Sequence, residues 1–415
     1  MKVVSVNAFD LIGGAGKAAY RLHNGLLNKK INSVFLVQKK ISIDYSVLTF
    51  NHIFYKYFRS LRWRFSSLPL FFYRKRKNIP YSTSFFVTSS GFVNKINSLN
   101  PDLVHLHWIA GGMMQIEELS KIKAPIVWTL HDCWPFTGGC HIVNDCENYL
   151  HACGSCKALN SNNLNDISNW INKRKEKAYT NKTITFIGVS NWISNLAKQS
   201  SLLKNQNVVT IPNIINLNQF KNIDKKYSRE KFGIPINKKI ILFGAYGALK
   251  DPNKGCEYFL EALKLIKSED VEILIFGNDE KPISNDLPFK VTYLGVINSD
   301  TQLNYAYSSA DLMVVPSIQE SFGQTAIEAM AAGTPVVCFD TSGLKDIVDH
   351  KVNGYRATCY HIVDLANGID WVLNNDNIEN IQKLAREKIV NSFDSNLVVD
   401  KYIDLYNSII NKKVC

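Results

Sequence analysis

Residues 311–340 read DLMVVPSIQESFGQTAIEAMAAGTPVVCFD. The stretch opens on one continuous apolar run, DLMVVPS (311–317), and closes on another, TPVVCFD (334–340). Between them QTAIEAMAAG (324–333) carries small and apolar residues at helical spacing and ends on Gly333, a residue suited to a helix C-terminus. Strands that are apolar throughout, rather than alternating, are those covered on both faces, so strand, helix and strand form one parallel unit. The same grammar recurs along the chain. KVVSVNAF (2–9), SVFLV (33–37), LVHLHW (103–108), PIVWTL (125–130), TITFIGVS (183–190) and VVTIPN (208–213) make one series. KIILFGA (239–245), VEILIFG (271–277) and VTYLG (291–295) join the two runs of the opening stretch in a second series. Helical segments such as KGCEYFLEALKLIKS (254–268) lie between them. The class is α/β. At 415 residues the chain exceeds one core and fits two. The expected joint is IPNIINLNQF (211–220), which follows a polar stretch and precedes the second series.

The turn IQESFG (318–323) sits where chemistry is expected. The first turn of a helix leaves N–H groups unpaired and carries partial positive charge, which suits a phosphate. Gly323 allows its backbone a close approach. Glu320 stands at the mouth of this turn, and Glu328, eight residues on, lies inside the helix where a carboxylate can accept two ribose hydroxyls. A structural reading stands beside this one: Ser321 with Gln324, or Ser317 with Glu320, is spaced as a capping box.

ESFGQTAIEAMAAGTPVV (320–337), with both glutamates and the NG of HKVNGY (350–355), resembles the E-x7-E signature of retaining family 4 glycosyltransferases. The resemblance implies the GT-B fold: two Rossmann-like domains whose parallel sheets face an interdomain cleft. On that pattern residues 1–212 form an acceptor-side domain, 213–391 a nucleotide-sugar domain, and 392–415 a helix returning to the first. It implies that Glu320 faces the donor sugar, that Glu328 binds the ribose, and that backbone around Phe322, Gly323, Gln324 and Thr325 meets hydroxyls and diphosphate. Gly13, Gly14 and Gly16 resemble the loop bordering the diphosphate, and Gly277 and Leu294 lie in loops resembling those around the base. VSNWISNLA (189–197) and IPNIINLNQF resemble further stations, with Asn216 in place of an aspartate. ILFGAYGALKDPNKG (241–255) resembles the segment whose lysine, here Lys254, meets the donor phosphates. The arginine usual before it is missing, since Ala245, Tyr246, Gly247 and Ala248 fill its place; Lys250 is a candidate substitute.

In WTLHDCWPFTGGCH (128–141) the pair His131–Asp132 follows a strand, at the end where open α/β sheets bind ligands. The family keeps a histidine there, near the donor sugar. His107 ends the preceding strand, with core packing or the acceptor side as its two readings. The loop from Cys133 to Cys156 holds five cysteines. Four of them, Cys140, Cys146, Cys153 and Cys156, are spaced to close a structural zinc site, with His141 and His151 in reserve; free thiols, disulfides or another metal are the alternatives.

Net charge is +12, and residues 1–100 alone carry 16 Lys and Arg against 2 Asp and Glu. The excess peaks in HIFYKYFRSLRWRFSSLPLFFYRKRKN (52–78), where Lys56, Arg59, Arg62, Arg64 and Arg74–Lys77 alternate with aromatics. That composition suits an anionic bilayer surface. A hairpin with its aromatics in the core is the alternative, and no nucleic-acid partner is expected. MKVVSVNAF lacks the pattern of a secretory leader and no apolar run is long enough to span a bilayer, so a cytoplasmic protein, peripheral on the inner face of the membrane, is expected.

The implied function is retaining transfer of a sugar, of the hexosyl type, from a nucleoside diphosphate sugar to a glycan or lipid-linked acceptor in polysaccharide biosynthesis. Glu320, Lys254 and His131 are the expected catalytic set, and no catalytic metal is implied. The alternatives are a non-catalytic nucleotide-sugar-binding assembly protein and a nucleotide-sugar epimerase.

Overall fold

The computed structural model describes residues 1–49, 62, 64–85, 91–277 and 287–412. Lys56 and Arg59, assigned above to the basic aromatic stretch, lie outside the described residues.

The chain forms two compact units, Met1–Pro212 with Val399–Cys415, and Asn213–Val398. The return to the first unit thus falls at 398/399, inside the helix Ser395–Asn411, rather than at 392.

The first unit is built on seven strands: β1 (Lys2–Phe9), β2 (Asn32–Lys39), β3 (Val47–Thr49), β4 (Leu103–Leu106), β5 (Ile126–Leu130), β6 (Ile184–Gly188) and β7 (Asn207–Thr210). They lie in the order β3-β2-β1-β4-β5-β6-β7, and every pairing is parallel. Every residue of β4, β5 and β6 is buried, which is why these runs show no polar alternation.

The second unit carries β8 (Lys239–Gly244), β9 (Val271–Phe276), β10 (Lys290–Tyr293), β11 (Leu312–Val315), β12 (Val336–Phe339) and β13 (Gly354–Ala357). The order is β10-β9-β8-β11-β12-β13, again all parallel. Its core joins Ile241, Phe243, Phe259, Val314, Val337 and Ile369. Phe243 and Phe259 stack with centroids 4.7 Å apart, fixing the helix Cys256–Leu263 on the sheet. Both units have the Rossmann-like form, in which the loops after the central strands gather at one edge of the sheet. No described helix is long and apolar enough to cross a membrane.

Candidate functional site

In the second unit, three loops converge beyond the ends of β8, β11 and β12. Lys254 Nζ lies 2.5 Å from Glu320 Oε1, and Ser317 Oγ donates to the same oxygen at 3.0 Å. The backbone N–H of Glu320 donates to Ser342 Oγ at 2.9 Å, and its carbonyl accepts from Gly343 N at 2.9 Å. Asn253 ties the lysine loop to the glutamate loop twice: its side chain donates to Gln319 O at 2.8 Å, and its carbonyl accepts from Ile318 N at 2.8 Å. Gly255 has φ +70°, and a Cβ there would sit 1.9 Å from Pro316 O. Only glycine lets these two loops close on one another. Burial pushes the Lys254 ammonium down, but the Glu320 carboxylate overcomes this and its pKa ends above the usual lysine value.

The helix Gln324–Ala331 starts from Gly323, at φ +122°, with no side-chain cap. This corrects the capping-box alternative: Ser317 is spent on the Glu320 carboxylate, and the N-cap position is held by Gly323, which makes no side-chain cap. Phe322 is buried against Phe393, which anchors the turn. Glu328 is only 4% exposed, and Tyr307 donates to its Oε2 at 2.7 Å. Tyr307 and Ser342 are residues that sequence reading missed. Neither has a local signal, since each reaches its partner across about twenty residues of chain. Gly277 and Leu294 fall on adjacent loops, joined by Gly277 N to Gly295 O at 2.8 Å. Where the arginine of the family pattern is missing, Tyr246 is 73% exposed and Lys250 is exposed.

In the first unit Gly13, Gly14 and Gly16 form the first turn of the helix Gly13–Asn28, rather than a loop before it. Its N-cap, Ile12, makes no side-chain cap. Buried Asp10 braces the approach, accepting from Leu11 N at 2.9 Å and Ser42 N at 2.8 Å. His131 directly follows β5, and its Nε2 lies 3.0 Å from Nδ1 of His107. Burial depresses both imidazoles, His131 to about 4, so both are neutral near pH 7. Asp132 turns away from His131. Its Oδ2 accepts from Trp108 Nε1 at 2.9 Å and lies 2.7 Å from His141 Nδ1, while Oδ1 accepts from Trp134 N at 2.9 Å. Burial pushes this carboxyl up, but His141 and the N–H donors outweigh it and hold it below the usual range.

Among the described residues no three His, Cys, Asp or Glu side chains are placed to hold a metal ion. Cys140 and Cys156 hydrogen-bond to each other, and Cys153 Sγ accepts Gly138 N at 3.2 Å. Cys146 is half-buried, and His141 is taken by Asp132 and Ser82. Cys146, Cys153 and Cys156 all lie near enough to Cys140 to raise its pKa. Polar ties also hold the loop. Buried Lys175 donates to the carbonyls of Trp134 and, at 2.9 Å, Thr137. Asp166 caps the helix Ile167–Thr180 and accepts Cys156 N at 2.9 Å.

Residues 12–219 match the family described as Glycosyltransferase Family 4, half of the whole chain. The chain belongs to that family. Residues 224–388 of this family 4 chain match Glycosyl transferases group 1. An uncharacterized glycosyltransferase of Methanocaldococcus jannaschii is 34% identical over 187 residues, 43% of this chain and 47% of that protein. The N,N'-diacetylbacillosaminyl-diphospho-undecaprenol α-1,3-N-acetylgalactosaminyltransferase of Campylobacter jejuni is 27% identical over 217 residues, 50% of this chain and 56% of the other. The family 4 chain thus spans about half the length of the curated relatives it matches. Among solved structures, a sucrose-phosphate synthase of Thermosynechococcus elongatus superposes with TM-score 0.72 at 17% identity, over 99% of this chain and all of that one. Anabaena HepE, in complex with UDP and glucose, gives 0.66 at 17% identity, over 98% of this chain and all of the other. At these identities the likeness shows the fold, which is GT-B.

Proposed function

We propose that this family 4 chain is a retaining glycosyltransferase, moving a sugar from a nucleoside diphosphate sugar to a glycan or lipid-linked acceptor during polysaccharide assembly. The observation that carries the reading is the Lys254–Glu320 pair beside the uncapped entrance of the helix Gln324–Ala331. When a sugar leaves a diphosphate, negative charge grows on the departing oxygens. A fixed ammonium and oriented N–H groups stabilise that charge without reorganising. Lys254 and the N–H groups of the first helical turn are assigned this role, and no catalytic metal is assigned. Glu320 positions the sugar and offsets positive character at its ring. In the free protein the same carboxylate occupies the Lys254 ammonium, so donor phosphates exchange one partner of that lysine for another. The buried carboxylate of Glu328, oriented by Tyr307, is assigned to the ribose, and the loops holding Gly277 and Leu294 to the base. The turn holding Gly13, Gly14 and Gly16 is assigned to the diphosphate, and His131 to the sugar.

The names of the relatives point the same way. HepE is a protein seen with UDP and glucose, and the Campylobacter protein is named as acting on a diphospho-undecaprenol acceptor. A lipid-linked acceptor fits one surface of the first unit. Phe65, Leu68, Phe71 and Phe72 are exposed, the last two at 69% and 83%, and Arg64, Arg74, Lys75, Arg76 and Lys77 are exposed around them. Exposed apolar side chains close in sequence to exposed cations suit an anionic leaflet, and the proposed place of action is its cytoplasmic face. Arg62 has no part in this surface: it is buried, and its Nε donates to Gly112 O at 3.1 Å.

The test is a thermal-shift screen of nucleoside diphosphate sugars, followed by transfer assays with the donor that binds. Lys254→Met and Glu320→Gln are each expected to lower the transfer rate by about a hundredfold or more while the fold persists, and the product is expected to keep the donor's anomeric configuration. Wild-type rates in both variants overturn the assignment. An isomerised donor formed without acceptor points instead to an epimerase, and tight donor binding with no turnover points to a binding protein.

A further inference from the structure

Three imidazoles stand together at the C-terminal ends of β4 and β5. His105 and His107 are two residues apart on an extended chain, so they share one face, with ring centroids 4.1 Å apart. His107 then stacks on His131 at 5.2 Å. Both ring nitrogens of His105 meet hydroxyls, Nδ1 with Tyr406 Oη at 2.6 Å and Nε2 with Thr129 Oγ1 at 2.7 Å. A hydroxyl can donate or accept, so His105 is satisfied as either tautomer. His107 is different. Its Nδ1 meets His131 Nε2, and its Nε2 is buried with no partner among the described residues.

Two neutral rings share one proton across a 3.0 Å contact. Were that proton on His131 Nε2, His107 would carry its own on the buried Nε2, an N–H with no acceptor. With the proton on His107 Nδ1, the buried atom is a bare lone pair, and His131 holds its proton on Nδ1. Buried N–H groups left without acceptors are rarer than acceptors left short of donors, because the desolvated donor loses more. The neighbouring carboxylate does not decide the matter, since Asp132 is engaged by Trp108, His141 and Trp134. The other titratable groups packed here are Tyr402 and Tyr406, both on the His105 side.

We propose that His107 is a positioning residue: it donates from Nδ1 to Nε2 of His131 and so holds His131 as the Nδ1–H tautomer, a hydrogen-bond donor aimed at a sugar hydroxyl oxygen. The bond made by one ring nitrogen sets what the other can offer. The identity of that ligand as a sugar rests on the function proposed above; the tautomer does not.

The experiment uses the full chain with 15N-labelled histidine, read near neutral pH by long-range proton–nitrogen correlation, together with steady-state kinetics. Wild-type His131 is expected as the Nδ1–H form. His107→Phe removes the donor and is expected to let His131 revert to the Nε2–H form that free imidazole side chains prefer. It should also lower kcat/KM for the nucleoside diphosphate sugar about tenfold, the worth of one hydrogen bond. His107→Asn, whose amide N–H stands where Nδ1 was, is expected to restore both readouts. An Nε2–H form of His131 in the wild type overturns the proposal, and so does an Nδ1–H form that survives in His107→Phe. If His107→Phe does not fold, the wild-type spectrum with His107→Asn still decides. A locked Nδ1–H tautomer in a protein that turns over no sugar donor sustains the role of His107 and removes the glycosyltransferase reading instead.

Discussion

Acidifying the protein from about pH 7 to about pH 5 should unfold its first unit selectively, because of the same three histidines and His23. Burial depresses His105 to about 3 and His131 to about 4, and drives His107 well below the ordinary value of 6.5. A group whose folded pKa is depressed lends stability that is complete above its unfolded pKa and is lost as pH falls towards the folded one. Each ring is neutral in the folded protein down to the depressed value, while in the unfolded chain it takes up a proton below about pH 6.5. Between about pH 6.5 and pH 5 one such ring costs about 2 kcal/mol, and the three together with His23, which burial also depresses to about 4, cost about 8 kcal/mol. The whole stability of a domain is only about 5–15 kcal/mol. Asp132, the charged neighbour, contributes in a different window, since its lowered carboxyl withdraws stability only below about pH 4. Urea unfolding can be followed by tryptophan fluorescence, because Trp128 and Trp134 are both buried in this unit. The expected midpoint falls steeply from about pH 6.5 to pH 5, by about 5 kcal/mol per pH unit in free energy at its steepest. His105→Gln should remove about a quarter of that slope. A midpoint that stays level across the interval, or any of the three imidazoles titrating near 6.5 in the folded protein, refutes the reasoning.

Two further outcomes follow from the cysteine loop and the exposed aromatics. Lys175→Met keeps the apolar stem but leaves the carbonyls of Trp134 and Thr137 without their donor, and a loss of about 1–4 kcal/mol in the unfolding free energy is expected; an unchanged midpoint removes Lys175 as the tie of that loop. The chain should co-sediment with vesicles containing phosphatidylglycerol and release them at high salt, with the double variant Phe71→Ser and Phe72→Ser binding about tenfold more weakly; equal binding to purely zwitterionic vesicles refutes an anionic docking surface.

The strands were legible wherever both faces are covered. VEILIF and VVSVNA admit few polar residues because helices pack on either side, so the apolar run itself announces the strand. β3 and β13 escaped notice because VLT and GYRA are too short, and GYRA too polar, to stand out from loops. Glu320 and Lys254 could be named because their spacing follows a known signature, but their contact could not, since 66 residues separate them. The caps were misjudged for a reason of geometry. Ser321 has the right spacing, but Gly323 turns the chain through positive φ and takes the N-cap position itself. The cysteine spacing placed four thiols in one loop, but the shape of that loop depends on Lys175 and Asp166, which lie outside it.

The bond between His105 and Tyr406 joins residues 301 apart. At translation rates of about 5–20 residues per second, the ribosome needs some 15–60 s to travel from one to the other. Throughout that interval the nascent first unit holds a polar histidine deep in its sheet without the phenol that satisfies it. The first unit is thus completed only after the second has been made, and a stop codon at or before position 406 would leave that histidine without its phenol.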